Sequence, residues 1–324
     1  MSNLYIGLMS GTSRDSLDGC LVSFENGLKI EDVQTVNFSE NYQSSMDEDF
    51  ISKEITNKSI VLVDKLVSGR SKEDIVAIAF PGQTISHTDE FSLQAGSPEA
   101  LTKELGIPVY GDFRNFDISK GGKGAPLIPA FHKFLLSEES KNKIIFNIGG
   151  IANGTYLCGS EIKLASDVGP GNCLMDAAMR TLNLGNYDKN GDIANKGNLN
   201  TDIFQLFLQD MNGLSYPRAD DISVYTGIFE KHKTKLHELA AEDMLCTLTE
   251  LTAKKINDFI EACGQVDELV IHGGGTENRY LMERISSMAS PVEVKTIDHI
   301  APSKYIEAIA FAYLAYEKRA VLFK

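Results

Sequence analysis

Short apolar runs that stop at glycine turns dominate the hydrophobic pattern of this chain. Residues 4–9 form such a run and end near Gly11, which predicts a buried strand entering a loop. Residues 20–24 and 30–37 predict two more strands, and the short turns between the three predict an antiparallel start. A helical pattern covers 61–67, strands are expected at 74–80 and 107–111, and a helix at 125–136. The pattern then restarts. Residues 143–148 predict a strand ending at Gly149 and Gly150, followed by strands at 155–158 and 161–165. Past Gly169-Pro170-Gly171, helices are expected at 172–182, 240–262, 277–287 and 303–318, with strands at 267–272 and 292–297.

A block of strand, glycine loop and two further strands therefore occurs twice, near residues 4 and 143. The fold class implied is α/β in two halves, and a chain of 324 residues suits two cores better than one. The expected domains are 1–130 and 131–303, with the boundary near Pro129 and the last helix, about 304–324, packing back on the first domain. Two such halves imply a cleft, and clefts between domains are favoured ligand sites.

Composition narrows the function. Hydrophobic residues make up 43% of the chain, enough for real cores, and the formal net charge is -14. A general nucleic-acid binder needs a basic surface, so nucleic acid is excluded as the expected partner. A nucleotide is not excluded, because backbone donors, helix N-termini and a metal ion offset its charge locally. The start, MSNLYIGLMSGTS, lacks the basic and apolar regions of a signal peptide, and no run of 18 apolar residues predicts a membrane span. Cys20, Cys158, Cys173, Cys246 and Cys263 lie far apart without a CxxC, and read as free thiols in a reducing cytoplasm.

No GxxxxGK[ST] and no GxGxxG after a strand is present; GGKGAP at 121–126 lacks the spacing and the hydroxyl. Candidate chemistry rests on other turns. The segment Gly11, Thr12, Ser13, Arg14, Asp15, Ser16, Leu17, Asp18 follows a strand, offers hydroxyls and N–H groups to an anion, and places Asp15 and Asp18 where they can hold Mg²⁺. Asn147, Gly149 and Gly150 form a second turn, and Gly273, Gly274, Gly275 with Asn278 a third, where a flat ring could rest on the backbone beside a helix N-terminus. Tight turns with no ligand explain each equally well taken singly. Asp167, before Gly-Pro-Gly, suits a general base, with helix capping by Asp167 or Asn172 as the structural alternative. Asp112, Arg114 and Asp117 suit sugar hydroxyls or a carboxylate, with a solvated loop as the alternative.

These segments together resemble the anhydro-N-acetylmuramic acid kinase family. The resemblance runs through IGLMSGTS, PGQT at 81–84, GDFRNFDISKGGKGAPLIPAFH at 111–132, NIGGIAN at 147–153, DVGPGNCLMDA at 167–177, YDKNG at 187–191, HGGGTEN at 272–278 and EAIAFAYLA at 307–315. It implies the two-domain ribonuclease H-like fold of sugar kinases, actin and Hsp70, with an interdomain nucleotide cleft. It also implies a reaction in which ATP phosphorylates O6 while the 1,6-anhydro bond of the sugar is hydrolysed. Asp167 matches the family's base, Glu307 a second acid near the attacking water, 11–18 the ATP-phosphate segment, and Gln83 and Thr84 lie in the sugar motif. The expected ligands are ATP, Mg²⁺ and an amino sugar, and the expected assembly is a homodimer. Three departures stand out: Pro81 replaces a His, Ser16 replaces a Gly of the phosphate turn, and a Pro-Pro-Lys-Ser-Thr-Gly-Arg segment is reduced to Tyr216-Pro217-Arg218-Ala219-Asp220. Alternatives are a related kinase with another amino sugar and a non-catalytic ATP-binding regulator on the same fold.

Overall fold

The computed structural model describes residues 3–11, 14–88, 90–213 and 215–324. The chain falls into two compact units, Met1–Leu135 with Lys304–Lys324, and Leu136–Ser303. The first unit opens with three antiparallel strands, β1 (Leu4–Ser10), β2 (Ser16–Ser23) and β3 (Lys29–Asn37). Helices α1 (Glu40–Ser44) and α2 (Glu48–Leu66) follow, α2 being started by Asp47, whose carboxylate accepts the N–H groups of Asp49 and Phe50. Next come β4 (Ile75–Ala79), a small hairpin of β5 (Gln83–His87) and β6 (Ser92–Ala95), and α3 (Pro98–Leu105). This first pass ends with β7 (Val109–Gly111), α4 (Phe113–Ser119) and α5 (Pro129–Leu136).

The second unit repeats the opening. Strands β8 (Asn142–Ile148), β9 (Ile151–Cys158) and β10 (Glu161–Pro170) are antiparallel neighbours. Helices α6 (Cys173–Thr181), α7 (Thr201–Asp210), α8 (Ile222–Leu236) and α9 (Ala241–Cys263) come next, then β11 (Glu268–His272), α10 (Arg279–Ala289) and β12 (Glu293–Thr296). The chain returns to the first unit with α11 (Ile306–Tyr316) and β13 (Val321–Phe323). The two main sheets have the orders β3-β2-β1-β4-β7-β13 and β10-β9-β8-β11-β12. In each, the first strand of the antiparallel triple pairs in parallel with the next strand of its sheet, β1 with β4 and β8 with β11. The repeat expected from the hydrophobic pattern is thus a repeat of topology.

Each unit has its own apolar core. Ile6, Leu8, Leu21 and Ile78 of the first sheet pack with Leu62 and Val63 of α2 and Leu101 of α3. Phe146, Ala152 and Ile271 of the second sheet pack with Leu248 and Phe259 of α9 and Leu281 of α10. Helix α11 lies so close to β1 that a Cβ built on Gly7 would stand 1.9 Å from the Ala308 carbonyl oxygen. Aromatic rings hold that helix as well, with Tyr313 stacked on Phe134 at 4.5 Å and edge-on to Phe24 at 5.5 Å. Among the described residues, no helix is long and apolar enough to cross a membrane.

Several expected elements differ. The helix expected from 125 begins at Pro129, because Pro126 and Pro129 remove amide donors and restrict the residues before them. The last helix ends at Tyr316 and the chain then pairs as β13 with β7. Strand β10, expected over 161–165, runs on through Asp167 to Pro170. The segment 113–119, given no element by the hydrophobic pattern, is helix α4, entered through Asp112 at φ 52. The hairpin and helices α3, α7 and α8 were not anticipated.

Candidate active site

In the first unit the turn after β1 brings two chain segments together. Gln83 is buried at 2% exposure. Its Oε1 accepts from the Ser10 hydroxyl at 2.8 Å and the Tyr42 hydroxyl at 3.4 Å, and its Nε2 donates to the Gly11 carbonyl at 3.5 Å. Gln83 therefore ties the Gly11 turn to Ser10 and Tyr42. Thr12 and Ser13 lie outside the described residues. Arg14 turns at φ 55 and donates to the Ser45 carbonyl at 2.9 Å. Asp15 is exposed. Ser16 is already the first residue of β2, paired with Asn37, so the substitution of the family's glycine falls in a strand and not in the turn. Leu17 is a core residue at 1% exposure.

Asp18 points the opposite way from Leu17, as strand alternation requires. Its carboxylate accepts from the Thr35 hydroxyl at 2.6 Å and pairs with Lys304 at 3.3 Å, while the Thr35 and Tyr305 hydroxyls stand 3.1 Å apart. Burial raises the Asp18 pKa, opposed by Thr35 and Lys304. Lys304 and Tyr305 sit immediately before α11, whose first turn carries the half-buried Glu307. The approach allowed by Gly7 fixes that turn against β1.

Pro81, Gly82, Thr84, Gln94, Phe113 and Arg114 line a shallow, solvent-open pocket with Met9, Ser10 and Phe311. Thr84 donates to Gln94 Oε1 at 2.9 Å. Asp112 Oδ1 accepts from Asn115 at 2.7 Å. Arg114 Nη1 donates to the Gly124 carbonyl at 3.1 Å, and Asp117 Oδ2 accepts the Gly124 N–H at 2.9 Å. The GGKG loop is thus tied to α4, and of the polar trio only Arg114 reaches the cavity lining.

In the second unit the strand-end turns converge on one another. The N–H groups of Gly171, Asn172 and Cys173 donate to the carbonyls of Gly150, Gly149 and Gly150. Asn172 Nδ2 donates to the Ile148 carbonyl at 3.4 Å, so neither Asn172 nor Asp167 caps α6. Gly273, at φ 88, lies against Asn147 and Ile148: a Cβ there would stand 2.4 Å from Asn147 Oδ1. Ile148 also lies against Gly275, and Gly274 is the exposed one of the three glycines. Asn147, Gly149, Gly150, Gly273 and Gly274 end up together at the C-terminal ends of the parallel pair β8 and β11, the edge at which open α/β sheets bind ligands. Asn278 is the N-cap of α10, its amide oxygen accepting the Leu281 N–H at 2.9 Å.

Asp167 sits in β10 opposite Asn153, beside a register shift between Asp167 and Gly169. Such bulges re-aim side chains at functional sites. Its Oδ2 accepts the backbone N–H of Asp220 at 2.7 Å. The segment 216–220, read from the sequence only as a departure from the family, is in fact laid along this strand. That contact spans 53 residues, and no local pattern signals it.

His272 ends β11 in full burial, which pushes its pKa down to about 3 against the opposing pull of Asp298. The folded value lies below the unfolded one, so this stability is fully present above about pH 6.5 and is lost as pH falls towards the folded pKa. Between pH 7 and pH 5 the loss should be about 2 kcal/mol. Urea titrations of the protein and of His272→Gln check this: the gap between the two curves should change by that amount, and parallel pH profiles would refute it.

The profile of the anhydro-N-acetylmuramic acid kinase family matches residues 3–322. A Shewanella oneidensis protein named anhydro-N-acetylmuramic acid kinase is 36% identical, covering 96% of this chain and 90% of its own. A relative of the same name from Gamma-proteobacterium EBAC31A08 is 35% identical, covering 97% and 92%. Among solved structures, the activator of the 2-hydroxyisocaproyl-CoA dehydratase from Clostridium difficile, with bound ADPNP, superposes with a TM-score of 0.52 at 14% identity, covering 98% of this chain and 95% of that one. A ROK family glucokinase from Streptomyces griseus, in complex with glucose and AMPPNP, gives 0.51 at 13%, covering 97% and 100%. At such identities the likeness speaks to fold alone, an α/β architecture shared with these two proteins. The sequence match reaches from residue 3 to residue 322, and the chain belongs to the anhydro-N-acetylmuramic acid kinase family.

Proposed function

We propose that the protein is a phosphotransferase that uses ATP to convert anhydro-N-acetylmuramic acid into N-acetylmuramic acid 6-phosphate, a step of peptidoglycan recycling. Relatives of that name, alike over nearly the whole chain, carry the reading. In this scheme Asp167 takes a proton from water as the water oxygen bonds to C1. The C1–O6 bond breaks, O6 bonds to the γ-phosphorus, and ADP leaves. Glu307 orients the water. Phosphoryl transfer asks mainly for positioning and charge neutralisation, which one base, a cation and backbone donors provide.

The proposed nucleotide contacts are the 11–18 turn, Asn147, Gly149, Gly150 and the Gly273–Gly274–Gly275 turn. Among the described residues no group of three or more His, Cys, Asp or Glu side chains could hold a metal ion. Mg²⁺ on a nucleotide needs only one or two carboxylates, since phosphates and waters fill its shell. Asp15, exposed beside the turn, fits that demand, whereas Asp18 would have to exchange its Lys304 partner for the ion. There the ion would offset phosphate charge. The cytoplasm is the proposed compartment, and five free cysteines suit its reducing conditions.

The test is product mass. Incubation with ATP, Mg²⁺ and anhydro-N-acetylmuramic acid should yield the sugar plus one water plus one phosphoryl group, with equal ADP. ATP hydrolysis indifferent to the sugar would refute the reading.

One observation favours a neighbouring substrate. Pro81 lines the cavity with Thr84, Gln94 and Arg114, and it offers no donor where the family has His. Pro81→His should raise kcat/KM for the anhydro sugar about 3- to 10-fold, the worth of one hydrogen bond. Unchanged kinetics would remove this position from substrate choice.

A further inference from the structure

The segment 216–225 is hydrogen-bonded to β10 around Asp167. The Asp167 N–H donates to the Arg218 carbonyl at 2.9 Å, and the Arg218 N–H donates to the Ser166 hydroxyl at 2.9 Å. The Asp220 N–H donates to Asp167 Oδ2 at 2.7 Å, and Arg218 Nη2 donates to the Val168 carbonyl. Every one of these bonds lands on Asp167 or a residue beside it.

The side chains of the segment are locked to one another. Arg218 Nε donates to Asp220 at 2.8 and 3.0 Å, and the Tyr225 hydroxyl donates to Asp220 Oδ2. The Arg218 and Asp220 side chains are 10% and 8% exposed, and Tyr225 is fully buried. The Tyr216 ring lies beneath the guanidinium at 4.9 Å and meets Phe259 of α9 edge-on at 5.0 Å. A buried ion pair adds little to stability compared with apolar packing, so its presence calls for another account. Its effect here is geometric. Fixing the Asp220 side chain fixes the Asp220 N–H, which in turn fixes the Asp167 carboxylate.

We propose that Arg218, Asp220 and Tyr225 form a buried clamp that positions the Asp167 carboxylate for proton transfer. The inference rests on the reading of Asp167 as the base. The three act through Asp167 and are positioning residues. A segment that has lost the family's Thr-Gly-Arg has thus kept a task, executed by Arg218 and two residues that follow it.

Arg218→Lys keeps the charge and loses the planar fork. It should lower kcat about 10- to 100-fold, the scale of an ångström-sized misplacement, with KM for ATP within about twofold. Tyr225→Phe removes only a hydroxyl and should lower kcat about 3- to 10-fold, the worth of one hydrogen bond. Both should be measured also in an Asp167→Asn background, where the clamp has no base to aim and neither should cost anything further. A role in stability alone would lower activity equally in both backgrounds. If Arg218→Lys fails to fold, Tyr225→Phe decides. Normal kcat in the clamp variants beside a disabled Asp167→Asn overturns the clamp and leaves the base standing. Normal kcat in Asp167→Asn overturns the base, and the clamp with it.

Discussion

Asp167→Asn should retain ATP affinity while product formation falls on the order of 10²- to 10⁴-fold, the range for loss of a general base. The substitution keeps the side-chain shape and the oxygen that accepts the Asp220 N–H, and removes the basicity. Calorimetry for ATP and a stopped assay for phosphorylated sugar separate the two properties. The competing expectation, a helix cap, predicts a stability loss of about 1 kcal/mol with chemistry intact. The structure already weighs against it, since Asn172, at the N-cap of α6, makes no side-chain capping bond and Asp167 accepts the Asp220 N–H.

Gly7→Ala should be among the most damaging changes of comparable size in the first unit. Gly7 pairs with Cys20 on one side and Ala79 on the other, so β1 cannot yield sideways. The new methyl would meet the Ala308 carbonyl at 1.9 Å and the Ala312 methyl at 3.0 Å, which forces α11 away from the sheet. Overpacking of this kind commonly costs about 1–3 kcal/mol, and a contact with backbone belongs at the upper end. Because Glu307 precedes Ala308, turnover should fall further than stability alone explains. Gly227→Ala is the control. Gly227 lies on the exposed face of α8 with open space at its Cβ, so the same change there should stabilise by about 0.5–1 kcal/mol. Chemical denaturation of the pair checks this, and equal shifts would contradict the close packing of β1 on α11.

What the sequence revealed follows from how locally each feature is encoded. The strands β1, β4, β8 and β11 are continuous apolar runs buried in their sheets, and such runs announce themselves. The duplicated opening was legible for the same reason. Helix α3 could have been read: Ser97 caps it, Pro98 opens it and Gly106 closes it at φ 67, but its small apolar share hid it among polar neighbours. Hairpin β5–β6 is largely polar and leaves no such trace. Among candidate residues, the glycine turns came from composition, whereas their use did not. Gly273 and Gly275 make room for the chain's own Asn147 and Ile148. Gln83 and Asn278 spend their amides within the fold, which no spacing shows. The grip of 216–225 on Asp167 is a contact between distant segments, beyond the reach of any window.

Isotope position tests the proposed reaction most directly. With enzyme, ATP, Mg²⁺ and anhydro-N-acetylmuramic acid in ¹⁸O-water, the product should be trapped early, before the anomeric oxygen exchanges with solvent. Fragmentation in a mass spectrometer should then place one label on the C1 hydroxyl and none on the phosphate, because water attacks carbon and O6 attacks phosphorus. Label in the phosphate group of the sugar would contradict that order of bonds and remove Asp167 from the role assigned to it.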